Sequence, residues 1–249
     1  MYLGPPWAWF VLVFLASLVA ASELFGMTHS QDRVSQGVGI VTTGAVSLAM
    51  YFGSADPRIL LTLVTLVVIV GSLVPLWRLG RIEDSALRIM AGIAGPLYIG
   101  ALLTTLAIMR RDQGSNGPGF ILLTLMLSWW GDTGGYFAGR YLGKTKLYEA
   151  VSPKKTREGF FGSIGGALAG ALLAHFWYLP RLPLLDAILL AVFCGALGQL
   201  GDLVESLLKR STGIKDSGWI VPGHGGILDR IDALLIVSPL VYLYTVWTT

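Results

Sequence analysis

Long apolar runs alternate with short polar ones along the whole chain. A helix rises about 1.5 Å per residue and a bilayer core is about 30 Å thick, so a run of about 20 mostly apolar residues can cross it. Eight such runs are present, at approximately 7–25, 36–53, 59–77, 89–109, 119–139, 159–179, 184–208 and 228–247. The second is Gly-rich and weak, and the fifth and seventh carry Asp132, Asp202 and Glu205 near their ends. No strand alternation, heptad seam, low-complexity tract or internal repeat stands out. The pattern predicts an all-α fold, a polytopic transmembrane helix bundle of about eight spans, or seven to nine depending on where the boundaries fall. It reads as a single integral membrane domain over 1–249. Helices in 1–118 would serve packing and face lipid, and helices and loops in 119–249 would carry the chemistry.

Composition agrees with an apolar solvent. Of the 249 residues, 54% are hydrophobic and 13% are charged, against about 25% charged in an ordinary soluble domain. The net charge of +3 is too small to suggest a nucleic-acid partner. The single cysteine, Cys194, excludes an internal disulfide and reads as a small core side chain. No basic residue precedes the first apolar run, so a cleaved signal peptide is not expected.

The basic residues set an orientation. With the N-terminus outside, the inner loops hold fourteen of the eighteen Lys and Arg residues, and only Arg58, Arg110, Arg111 and Arg181 fall outside. Positive charge concentrates on the cytoplasmic side. Both termini are therefore expected outside, and the polar loops 140–158 and 209–227 in the cytoplasm. Gly162, Gly166 and Gly170 recur every four residues, which suits close helix packing.

Candidate chemistry falls in three clusters. The first is Trp129 to Arg140, with Asp132 among glycines. The second holds six basic residues between 140 and 157, including Ser152-Pro153-Lys154-Lys155-Thr156, where hydroxyls and ammonium groups suit phosphate oxygens. Residues 138–145, AGRYLGKT, approach a phosphate-binding loop, but Ala138 stands where its first Gly belongs. The preceding run is also a membrane helix rather than a strand, so the match fails. In the third cluster Asp202, Glu205, Ser206 and Lys209 share one helix face, and Asp229 and Asp232 share another. Carboxylates in an apolar run need partners. Pairing with Lys209, Arg210 and Arg230 would supply them, but leaves Gly213, Gly218, Gly223, Gly225 and Gly226 unexplained. Glycine turns present backbone N–H groups to anions, and Mg²⁺ joins carboxylates to phosphates. The cluster therefore reads as a metal–phosphate site. His224, between glycines, is either a phosphate or proton-transfer residue or a hydrogen-bonded turn residue.

Residues 206–232 closely resemble the signature of the phosphatidate cytidylyltransferases, or CDP-diacylglycerol synthases. They run Ser206-Leu207-Leu208-Lys209-Arg210, Lys215-Asp216-Ser217-Gly218 and Pro222-Gly223-His224-Gly225-Gly226-Ile227-Leu228-Asp229-Arg230-Ile231-Asp232. The one departure is Val221, where Leu, Ile or Phe is usual. Gly131-Asp132-Thr133-Gly134 and Ser152 to Thr156 look similar to the same family. The resemblance implies cytidylyl transfer from CTP to phosphatidate, with Mg²⁺ alone or with a second cation. It also implies a homodimer and a multi-pass protein of a bacterial plasma or inner membrane. On that basis Asp229, Lys215, Asp202 and Lys209 are expected to be catalytic. Asp202, Asp229, Asp232 and Asp132 are the candidate metal ligands. Ser152, Lys154, Lys155, Thr156, Ser206, Arg210, His224 and Arg230 would bind substrate. A CTP-dependent polyprenol kinase would use similar parts. An ion-coupled transporter would place its acids near the midplane, whereas these lie towards one face.

Overall fold

A computed structural model describes residues 4–218 and 225–248. Among the described residues the fold is helical apart from one two-stranded hairpin. Among the described residues, seven helical stretches are long and apolar enough to cross a membrane. The chain is an all-α, polytopic membrane protein. It divides into two compact units, one comprising residues up to Ile108 with Thr212–Asp229, the other Met109–Ser211 with the segment from Arg230 onward.

The first unit opens with α1 (Pro6–Thr28), α2 (Arg33–Gly53) and α3 (Pro57–Trp77). Both connecting turns stop and restart helices by capping. The Asp32 carboxylate accepts from the Ser35 N–H at the start of α2, and Asp56 accepts from the Arg58 N–H at the start of α3, where Pro57 needs no donor. Helix α4 (Ser85–Gly95) passes through a π-helical segment, Pro96–Ala101, into α5 (Leu102–Asp112). Pro96 cannot donate a helical hydrogen bond, and the widened turn absorbs that loss. A Cβ on Gly71 of α3 would lie 2.7 Å from the Gly92 carbonyl carbon, so the two helices touch backbone to backbone. Buried Ser47 and Thr104 share a 2.7 Å hydroxyl bond between α2 and α5.

In the second unit, α6 (Gly117–Tyr141) leads into β1 (Lys146–Tyr148) and β2 (Ser152–Thr156), an antiparallel pair. They are followed by α7 (Arg157–Leu173), α8 (Leu184–Ser211) and α9 (Leu228–Thr248), whose first two residues, Leu228 and Asp229, belong to the first unit. Thr156 caps α7 by accepting from the Gly159 N–H at 3.1 Å. The four-residue glycine repeat of α7 does pack. Gly162 faces Gly134 and Ala138, Gly166 faces the Trp130 carbonyl, and Gly170 faces Met126. On the next interface the Ser163 hydroxyl donates to the Gly195 carbonyl of α8 at 3.1 Å. At 28 residues α8 is about 42 Å long, so its last turns outrun a 30 Å hydrocarbon core.

Helix α6 corresponds to the fifth apolar run, yet it is not among the seven crossing candidates. Its first half is apolar and buried, and its second half is Gly-rich and bears Asp132, Thr133 and Arg140. The hairpin had no counterpart in the sequence pattern, because strands of three and five residues are too short to show alternation.

Candidate active site

A cavity of about 390 Å³ opens in the second unit among α6, β2, α7 and α8. Its lining includes Asp132, Arg140, Lys154, Lys155, Thr156, Gln199 and Asp202. The hairpin makes this possible. Strand geometry sends successive side chains to opposite faces, so Lys154 is exposed while the Lys155 side chain turns inward at 15% exposure. The Lys155 ammonium reaches 2.7 Å from Asp202 Oδ2 and donates to both the backbone oxygen and Oε1 of Gln199 at 3.2 Å. The Gln199 amide in turn donates to Asp132 Oδ1 at 3.2 Å. Two carboxylates from two helices are thus held on one lysine–glutamine bridge.

The rest of the α8 face is internally paired. Ser206 donates to Asp202 Oδ1 at 3.4 Å, and Lys209 forms an ion pair with fully buried Glu205 one turn earlier. Arg210 reaches the Val151 carbonyl at 3.4 Å, which ties the end of α8 to the hairpin. Buried Asp232 lies within electrostatic reach of Asp202 and Asp132. Ser152 begins β2, opposite Tyr148, and Arg230 is exposed in the first turn of α9.

Asp132, Asp202, Gln199 and Thr156 give the cavity an oxygen-rich lining. Among the described residues no group of three or more His, Cys, Asp or Glu is gathered to cage a metal. A carboxylate pair nevertheless fits Mg²⁺, which usually takes one or two carboxylates and completes its shell with water and substrate phosphates.

Asp229 belongs to the first unit, where its Oδ2 accepts from Ser217 N–H (3.0 Å), Ser217 hydroxyl (2.8 Å) and Gly226 N–H (2.8 Å). Beside it lies a carboxylate that the sequence reading passed over. Glu23 of α1 accepts from the N–H groups of Ile227 (2.9 Å) and Leu228 (2.7 Å) and from the Ser217 hydroxyl (3.3 Å). Gly225, at φ +79°, leaves room for Asp229, while Gly218 and Gly226 leave room for Glu23. These three signature glycines therefore cradle the chain's own carboxylates. Lys215 is exposed, and His224 lies outside the described residues.

Comparison with known sequences bears on what these clusters are for. A model of the cytidylyltransferase family matches residues 1–248. The chain belongs to that family. Curated relatives named phosphatidate cytidylyltransferase include one from Bacillus subtilis, 46% identical over 132 residues, which are 53% of this chain and 49% of the relative. One from Synechocystis is 44% identical over 165 residues, 64% of this chain and 55% of that protein. One from Staphylococcus epidermidis is 43% identical over 137 residues, 55% and 53% of the two chains. The matched stretch spans about half the length of these relatives. Gln199 and Glu23 are two polar residues of these clusters that motif spacing did not single out.

Proposed function

We propose that this chain transfers the cytidylyl group of CTP to phosphatidate, forming CDP-diacylglycerol and pyrophosphate at the cytoplasmic membrane face. The observation that carries the proposal is the Lys155 bridge, which gathers Asp202, Gln199 and Asp132 around a cavity lined also by Lys154 and Arg140. Names of the relatives supply the substrates, and the bias of Lys and Arg towards the inner loops supplies the face.

A phosphatidate oxygen attacks the α-phosphorus of CTP. The new O–P bond forms as the bond from that phosphorus to the bridging oxygen breaks, and the electron pair leaves with pyrophosphate. The nucleophile is already anionic, so no strong base is required. The barrier lies in bringing two polyanions together and in stabilising the leaving charge. Lys154, Lys155 and Arg140 supply positive charge at the cavity, and Lys209, Arg210, Lys215 and Arg230 supply it around the signature. Asp132 and Asp202, with Asp232 as a further ligand, would hold Mg²⁺, whose chemistry when bound is to neutralise phosphate charge; Asp229 is a separate candidate ligand in the first unit. Ser152, Thr156, Ser206 and His224 would contribute hydrogen bonds to the substrates. The homodimer implied by the resemblance belongs to the same proposal.

Incubating the purified protein with CTP, phosphatidate and Mg²⁺ tests the reaction. CDP-diacylglycerol and pyrophosphate in equal amounts are expected. Release of CDP with a phosphorylated lipid would replace this reading by a kinase, and failure to consume CTP would remove it.

A further inference from the structure

Helix α1 has one charged residue, Glu23, in an otherwise apolar sequence. A carboxylate inside an apolar helix is costly to insert and needs compensation. Here it is 7% exposed, and three donors converge on it. Two of them, the N–H groups of Ile227 and Leu228, stand at the start of α9, where a helix has backbone donors without internal partners. Glu23 therefore caps α9 from a helix about 200 residues earlier in the chain, with its negative charge at the positive end of the helix dipole.

The third donor links Glu23 to the signature carboxylate. The Ser217 hydroxyl has one proton and lies 2.8 Å from Asp229 Oδ2 and 3.3 Å from Glu23 Oε2. The Gly226 N–H binds Asp229, and the next two N–H groups bind Glu23. Three consecutive residues and one serine thus serve two carboxylates. Space is as constrained as charge. A Cβ on Gly218 would lie 2.6 Å from Glu23 Oε1, and one on Gly226 would overlap both Ser217 Oγ and Glu23 Oε2.

We propose that Glu23 is a positioning residue for Asp229: it fixes Ser217 and the first turn of α9, and through them the orientation of the Asp229 carboxylate. This inference rests on the cytidylyl-transfer reading for its kinetic consequence, but the anchor itself does not. The N-terminal helix then contributes to the signature cluster around Asp229 as well as to packing.

The test uses the full-length protein in lipid nanodiscs, as wild type, Glu23→Gln, Ser217→Ala and the double variant. A glutamine keeps the shape but turns an N–H₂ group towards donors. Amide hydrogen exchange at residues 226–228 is expected to quicken about tenfold or more in Glu23→Gln, with exchange in α7 unchanged. Turnover number per folded molecule is expected to fall about tenfold or more, while KM for CTP stays within about threefold. Adding Ser217→Ala to Glu23→Gln should cost little further, because both act on one anchor. Unchanged exchange at 226–228 would overturn the anchor. Turnover per folded molecule within about twofold of wild type, or fully additive losses, would overturn the positioning role and leave a cap only. Should Glu23→Gln fail to accumulate, Glu23→Asp keeps the charge, withdraws it by one methylene, and is judged by the same readouts. A wild-type protein that makes no CDP-diacylglycerol would sink the reaction proposed above, and the exchange measurement would still decide the anchor.

Discussion

In the turn between α1 and α2, a buried imidazole and a half-buried carboxylate face the same arginine. His29 is 4% exposed, with Nδ1 2.9 Å from the Thr28 hydroxyl, and Arg88 lies 2.8 Å from Asp32. Burial and then the Arg88 charge lower the His29 pKa from 6.5 to about 4, against an opposing pull from Asp32. The unfolded chain therefore takes up this proton first. The contribution is whole above about pH 6.5 and falls by up to about 3 kcal/mol as pH drops towards 4. Burial favours the neutral form of Asp32, but hydrogen bonds from Ser35 and Arg78, with the Arg78 charge, outweigh it and hold the pKa at about 2. That contribution is present above about pH 4 and is lost as pH falls through 2. The melting temperature should thus decline between pH 7 and 4, and His29→Gln should flatten the decline; an equally steep curve in the variant would refute the assignment. At the cavity, Lys155→Met is expected to lower kcat/KM for CTP about a hundredfold, the equivalent of one lost charge-assisted bond of roughly 2–3 kcal/mol, with the circular dichroism spectrum unchanged. A loss below about threefold would remove Lys155 from the site. Lys155 was legible beforehand because it sits in a basic, hydroxyl-rich run. Gln199 was not, since one neutral amide in an apolar run has no spacing to betray it. Glu23 did carry a signal, as the only charged group in the first span, but the eye follows clusters and it stands alone.

At the scale of elements, the contact between α6 and α7 shows what the glycines are for. A Cβ on Gly166 would overlap the Trp130 carbonyl oxygen, and backbone cannot swing aside as a side chain can. Gly166→Ala is therefore expected to push the two helices apart and destabilise the protein by about 1–3 kcal/mol, the usual range for overpacking. Gly165→Ala is the matched comparison, because a Cβ there meets nothing within 4 Å. A lowered melting temperature for the first variant and not the second is the outcome to look for, and equal shifts would mean the contact is looser than drawn. The four-residue repeat announced this interface in advance, since small residues at that spacing leave few other uses. The hairpin escaped notice for the opposite reason. Its eight strand residues carry three lysines and a proline, and they pair where the chain must turn Lys155 inward rather than where a strand pattern would call for them.

For the whole molecule, the number of crossings turns on α6. Eight apolar runs were legible, and a helix occupies each of them, but α6 divides between an apolar half and a half given over to the cavity. Hydropathy averages such a helix away, because a residue that lines a polar cavity scores the same as one that faces water. Length argues the other way. Twenty-five residues extend about 37 Å, enough to cross a bilayer core. If α6 crosses, Ser115 before it and Lys144 after it lie on opposite sides of the membrane, and the bias of basic residues puts Lys144 in the cytoplasm. Both positions are exposed, and the one native cysteine, Cys194, is buried and gives no background. A membrane-impermeant maleimide applied to intact cells should therefore label Ser115→Cys at once and Lys144→Cys only after permeabilisation. Labelling of both from one side would mean that α6 does not cross, and the reverse pattern would turn the cavity away from cytoplasmic CTP and end the proposed reaction.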